Sequence, residues 1–180
     1  MPDPLSRLID ALDAQRLALL DGLAELSEEE LRARPRPGAW SILEIVEHLV
    51  AAESVILQGL PPRADLVARP RSLAHRLKFH LVLLILACRV PVKAPSRRML
   101  PTGTTSLAEV RRTWDAHLTW LRAFQEDAGA GSGEKAFFTH PVAGPISLVQ
   151  ALRMDLLHLG THRRQIARLR RQSTPTGRRP

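Results

Sequence analysis

Apolar residues recur at three- and four-residue intervals through four long stretches of this chain, with proline or glycine clustered between them. From about Pro4 to Leu26, Leu5, Leu8, Ile9, Leu12, Leu17, Leu19, Leu20 and Leu23 follow a helical repeat with Asp and Arg between them, the pattern of a helix with one buried face. Pro35 and Pro37 end the pattern, because proline cannot continue a helix and pushes its predecessor toward extended geometry. A second helix is predicted from Ala39 or Trp40 to about Leu60. Ser41 and Glu44 make a capping-box pattern ahead of Ile42, Ile45, Val46, Leu49, Val50 and Val55, and Pro61-Pro62 follow. The third long helix opens at Ser106, with Glu109 three residues on, and runs through Trp114, Leu118 and Leu121 to about Gln125. The last has Pro145 near its first turn and Ser147 as a candidate cap. It runs to about Gln172 and carries Leu148, Leu152, Leu156, Leu159, Ile166 and Leu169 toward the core.

Between the second and third of these lies an excursion over residues 61–105, with an apolar helix predicted at about 72–90 inside proline-rich connections. Its run LVLLILAC at 81–88 falls short of the roughly 17–25 residues that span a bilayer, and Lys78, His80 and Arg89 flank it. We read it as a buried helix rather than a membrane span; exposed, it would be a candidate homodimer surface. Residues 129–133 read as a loop, and 137–145 are too rich in Pro and Gly for a helix. Strand-like alternation is nearly absent. The expected fold is all-α: an up-down four-helix bundle with an additional helix inserted between bundle helices two and three. A single domain over 1–172 and a basic flexible tail over 173–180 are expected.

Composition narrows the chemistry. One cysteine, Cys88, excludes an intrachain disulfide and a cysteine-based metal cluster, so any metal site must use His or carboxylates and a reducing compartment is expected. The first sixteen residues lack a basic stretch followed by an apolar core, so they do not read as a signal peptide, and a cytoplasmic location is expected. Cys88 sits among aliphatics, where a thiol is usually buried and inert. The net charge of +8 permits nucleic-acid binding, but much of the excess lies in 163–171 and 178–179, where helix-dipole pairing and solubility account for it. Nucleic acid is not an expected partner.

His158 and His162 stand four apart on the last helix, so they project from one face a turn apart and can share one ion. This is a two-ligand half-site. His48 lies on a helix whose other inward positions are aliphatic, and a bundle core brings facing helices close enough for it to be the third ligand. Such a site leaves coordination positions open to water or substrate. Asp155 and Gln165 are candidate catalytic residues: Asp155 to orient a ring N–H or accept a proton, Gln165 to hydrogen-bond near the site. The alternative is that both belong to a solvated stripe. His75, His80 and His117 have no partnered spacing and read as structural or surface residues; His140, before Pro141, reads as shaping its loop. Trp40, Trp114 and Trp120 read as core packing.

The text PGAWSILEIVEHL, from Pro37 through His48 to Leu49, resembles the Trp-Ser-x-x-Glu-x-x-x-His-Leu signature of the DinB-like, YfiT-type proteins. The C-terminal text from Thr139 to Ser147, followed by His158-Leu-Gly-Thr-His162-Arg-Arg-Gln165-Ile166, is similar to that family's pre-helix loop and final helix. The resemblance implies a four-helix bundle holding one divalent ion, nickel or zinc first and iron, copper or manganese next, through His48, His158 and His162. Family members of known activity are metal-dependent thiol S-transferases or thiol-dependent isomerases. The resemblance therefore implies a low-molecular-weight thiol, or water, activated for attack on a small electrophilic substrate in detoxification or stress response. A metal-dependent hydrolase and a non-catalytic metal-binding interaction module stand as alternatives.

Overall fold

The structure is a computed structural model that describes residues 3–60, 67–88, 96–128, 133 and 135–173. The four amphipathic stretches are its long helices: α1 (Pro4–Ala24), α3 (Ile42–Gln58), α5 (Leu107–Ala128) and α6 (Leu148–Ser173). Between them lie a one-turn helix α2 (Glu28–Arg32), the inserted helix α4 (Leu73–Ala87), a 3-10 turn at Arg97–Met99, and the strands β1 (Ala136–His140) and β2 (Gly144–Ser147).

The caps form where the sequence places them. Ser41 Oγ accepts from the Glu44 N–H at 3.2 Å while Glu44 Oε2 accepts from the Ser41 N–H at 2.8 Å, and Ser106 and Glu109 do the same for α5. Ser147 caps α6 reciprocally with Gln150. Each exchange satisfies helix N–H groups that have no intrahelical acceptor.

Both α1 and α3 pack against α5 and α6, so α1 lies diagonally across the bundle from α3, and α5 from α6, while the successive helices α3 and α5 are neighbours. Ile9, Leu12, Leu20, Ile45, Leu49, Leu121 and Leu152 fill the space between them, each at most 2% exposed. At about 0.8 kcal/mol per buried methylene, this shared apolar core is the main source of stability. The inserted helix lies outside, against α6 and β2.

Several expectations change. Helix α4 is not buried: only Phe79 is, and the helix turns a row of leucines to solvent. Cys88 at its end is exposed, not enclosed. On α1 the inward position is taken by Arg16, not Leu17, which is 42% exposed. Arg16 falls three to four residues from Leu12, Leu19 and Leu20, so the repeat selects it over Leu17. Trp120 is exposed and stacks on Phe124 at 5.3 Å instead of entering the core.

The segment at 136–147 is an antiparallel hairpin, pairing Phe138 with Ile146 and His140 with Gly144. Strands this short, with Pro145 in one of them, carry no readable alternation. Gly144 has φ of +71°, and a Cβ there would lie 2.6 Å from the His75 ring of α4, so only glycine lets hairpin and helix meet. His140 shapes the turn as expected: its Nδ1 accepts from the N–H groups of Val142 and Ala143, both at 3.1 Å.

The expected tail at 173–180 lies outside the described residues from 174 on. Among the described residues, no helix is long and apolar enough to cross a membrane.

Candidate metal centre

Helix α3 is enclosed on nearly all sides through its first turns, and His48 on it is 6% exposed. Ile45, Leu49 and Ala52 occupy the core, which turns His48 toward α6. On α6, His158 and His162 rise one turn apart at the edge of the buried stripe formed by Leu152, Leu159 and Ile166. The three imidazoles meet. His158 Nε2 lies 3.2 Å from His48 Nε2 and 3.1 Å from His162 Nε2, and the three ring planes stand edge to face. A tetrahedral ion with bonds of about 2.0–2.1 Å sets its ligand atoms about 3.3–3.4 Å apart, and an octahedral one about 3.0 Å; the observed spacing falls between these.

The remaining ring nitrogens fix the tautomers. His48 Nδ1–H donates to the Met99 carbonyl at 2.6 Å, and His162 Nδ1–H donates to Gln165 Oε1 at 2.8 Å. With Nδ1 protonated, the Nε2 atoms of His48 and His162 both present lone pairs to His158. The three together could hold one metal ion. Burial first, then the neighbouring rings, lowers the pKa of His158 to about 3, and burial first with His48 next lowers that of His162 to about 4. Burial lowers His48 against the pull of Met99. Every imidazole is therefore neutral near pH 7, the form that binds metal.

Two supports were not visible in the sequence. Glu47, beside His48, accepts from the N–H of Thr102 at 2.9 Å, the N–H of Gly103 at 3.0 Å and the Thr105 hydroxyl at 2.9 Å. It thereby pins the connection that delivers the Met99 carbonyl to His48. Trp40 packs on the outer side of His48, with ring centroids 4.9 Å apart. A cleft of about 600 Å³ between α3 and α5 is lined by Glu47, Ser54, Arg98 and Arg112, and none of the three histidines opens on it.

Gln165 stands against His162. Asp155 is 5% exposed and lies on no solvated stripe; it bonds no histidine and faces Arg16 Nη2 at 3.8 Å. Arg16 in turn pairs with Glu53 at 2.5 Å and lies over the Trp114 ring at 5.8 Å. Trp114 Nε1 donates to Glu53 Oε2 at 3.0 Å, and His117 Nδ1 is 3.2 Å from Glu53 Oε1. His117 Nε2 meets Ser54 Oγ at 3.1 Å. His117 is thus part of a buried ionic cluster to which all four bundle helices contribute. Burial first and Glu53 second, against Arg16, raise the Asp155 pKa from 3.8 to about 8.

The folded state therefore holds a proton on Asp155 that the unfolded chain releases. Stability from this group is complete below about pH 3.8 and is lost as pH rises toward 8. Asn mimics the protonated acid, so Asp155→Asn is expected to cost little near pH 7 and to flatten this decline, as read by urea unfolding across that range.

Residues 11–166 match the sequence profile of the DinB superfamily. The chain belongs to the DinB superfamily. Among solved structures it is similar to YfiT from Bacillus subtilis, described as a probable metal-dependent hydrolase with an unusual four-helix bundle topology. The likeness has a TM-score of 0.53 at 18% identity and covers 93% of this chain and 86% of that one, so it bears on the fold. No curated protein matches. Within this DinB-superfamily bundle, His48, His158 and His162 are the described His, Cys, Asp and Glu residues whose ligand atoms group as a metal site would require, all within 4.8 Å of one another.

Proposed function

We propose that this protein is a divalent-metal enzyme of the DinB superfamily that activates a low-molecular-weight thiol for transfer to a small electrophile. The observation that carries the reading is the convergence of three neutral imidazoles, with His158 Nε2 3.1–3.2 Å from the Nε2 atoms of His48 and His162 and all three ligand atoms within 4.8 Å of one another. His48, His158 and His162 would hold a divalent ion, nickel or zinc being the first choices, which would supply the Lewis acidity that lowers the pKa of a thiol or water. Neutral histidines leave the charge of such an ion undiminished, whereas a carboxylate ligand would offset it. The chain's own groups hold the donors still: Met99 through His48, Gln165 through His162, and Glu47 through the connection it pins. Asp155, one turn before His158, faces Arg16 and not the imidazoles, so it has no part in holding the donors.

Gln165→Ala removes the partner of His162 Nδ1 and is expected to weaken metal affinity about 10- to 100-fold, the usual effect of losing such a support. Competition with a chromogenic chelator measures it. A second reading, hydrolysis with water as the nucleophile, draws on the description of YfiT. The metal-loaded protein, offered several cellular thiols with a generic electrophile and, separately, ester and amide substrates, separates the two. Turnover with one thiol supports transfer. Turnover without thiol supports hydrolysis, and no turnover with any of them leaves only a metal-binding bundle and overturns both.

A further inference from the structure

Helix α4 carries two opposed apolar faces. One, with Phe79 at its centre and Val82 and Leu86 beside it, packs on the bundle. The other is open: Leu73 is 73% exposed, Leu77 63%, Leu81 53% and Leu84 58%. At about 100° per residue these four leucines and the exposed Cys88 fall within one arc of about 80°, opposite Phe79. Arg76 and Lys78 flank that arc, one on each side, and both are exposed. No acidic residue occurs between Asp65 and Glu109, and that span holds eight Lys and Arg. Its charge alone equals the net +8 of the whole chain.

We propose that the outer face of α4 docks on the surface of an anionic lipid bilayer. A leucine row bordered on both sides by long cationic side chains is the arrangement in which the leucines enter the acyl boundary while the ammonium and guanidinium groups reach lipid phosphates. A second copy of this chain is a poorer occupant. A two-fold contact through α4 sets Arg76 and Lys78 against their own copies or near neighbours, and α4 contains no acid to answer them. The fifteen-residue helix lies in the interface and does not cross it. Helix α4 rests on α6, with Thr161 Oγ1 donating to the Leu86 carbonyl at 3.3 Å, so docking sets the histidine-bearing helix directly behind the membrane-facing one.

Co-sedimentation of the full chain with vesicles tests this. Vesicles of equal parts phosphatidylglycerol and phosphatidylcholine are expected to bind it, and vesicles of phosphatidylcholine alone to bind it weakly. Raising salt should release the protein. The double variant L77E/L81E, on exposed positions that tolerate helix-forming glutamate, is expected to lower binding at least tenfold, an order-of-magnitude figure of about one decade. The pair R76Q/K78Q should lower it about fivefold per cation removed, and only on anionic vesicles. Equal binding by L77E/L81E overturns the proposal, because basic charge alone would then account for attachment. A wild-type protein that binds neither vesicle, or a dimer in sedimentation that L77E/L81E converts to monomer, also overturns it and assigns the face to a protein partner.

Discussion

Replacing His158 with alanine is expected to abolish stoichiometric divalent-metal binding and leave the helical content in place. His158 is the middle donor, since its Nε2 is the atom within 3.1–3.2 Å of both other rings. Without it, His48 and His162 are two ligands on facing helices that no longer share a third. Losing a supporting hydrogen bond around a metal costs about 10- to 100-fold in affinity, and losing a donor costs more than that. The fold does not depend on the residue: alanine is the best helix former, and a crowded imidazole of depressed pKa is removed from the α3–α6 boundary. The metal-free variant should therefore melt within a few degrees of the metal-free parent. Added zinc or nickel should raise the melting temperature of the parent and not of the variant, because only a ligand that binds the folded state shifts the equilibrium. Elemental analysis after gel filtration, alongside the melts, reads both halves.

The second large effect falls away from the metal. Arg16→Met is expected to destabilise the fold by about 3–5 kcal/mol, since it removes one partner of a buried ion pair and leaves Glu53 and Asp155 without their shared guanidinium. In a chain of this size each kcal/mol is worth roughly 2–4 °C, so the melting temperature should fall by about 10 °C or more. Methionine fills similar volume and keeps the helix, which assigns the loss to charge rather than to packing. Adding Glu53→Gln to Arg16→Met removes the stranded carboxylate and should return part of the lost stability. A double variant no more stable than Arg16→Met would remove the ionic explanation and point to the Arg16–Trp114 contact.

Local signals read well where they are dense. Ser41–Glu44 and Ser106–Glu109 form the capping boxes they spell, although α3 starts at Ile42 and not at Ala39 or Trp40 because Ser41 is its cap. The His158–His162 interval combines with the Trp40–His48 text to bring three side chains into one site. What the sequence hid depends on partners far along the chain. Glu47 reads as a polar neighbour of His48 until Thr102, Gly103 and Thr105 fold back on it, and no periodicity reports that closure. Asp155 and Glu53 read as polar breaks in apolar stripes because Arg16, on another helix, is what makes burying them tolerable. The α4 leucines are as apolar as core leucines, and only the position of the helix on the outside of α6 decides that one row meets solvent. The short α2 and the hairpin lie below the length at which a repeat can be recognised.

X-ray absorption at the metal edge of the zinc- or nickel-loaded protein tests the central claim most directly. The account predicts one ion per chain whose first shell contains three imidazole nitrogens at about 2.0–2.1 Å, with a further light-atom ligand that a thiol replaces by sulfur. A loaded protein whose first shell holds fewer than three imidazoles, or whose metal content survives loss of His158, would contradict it.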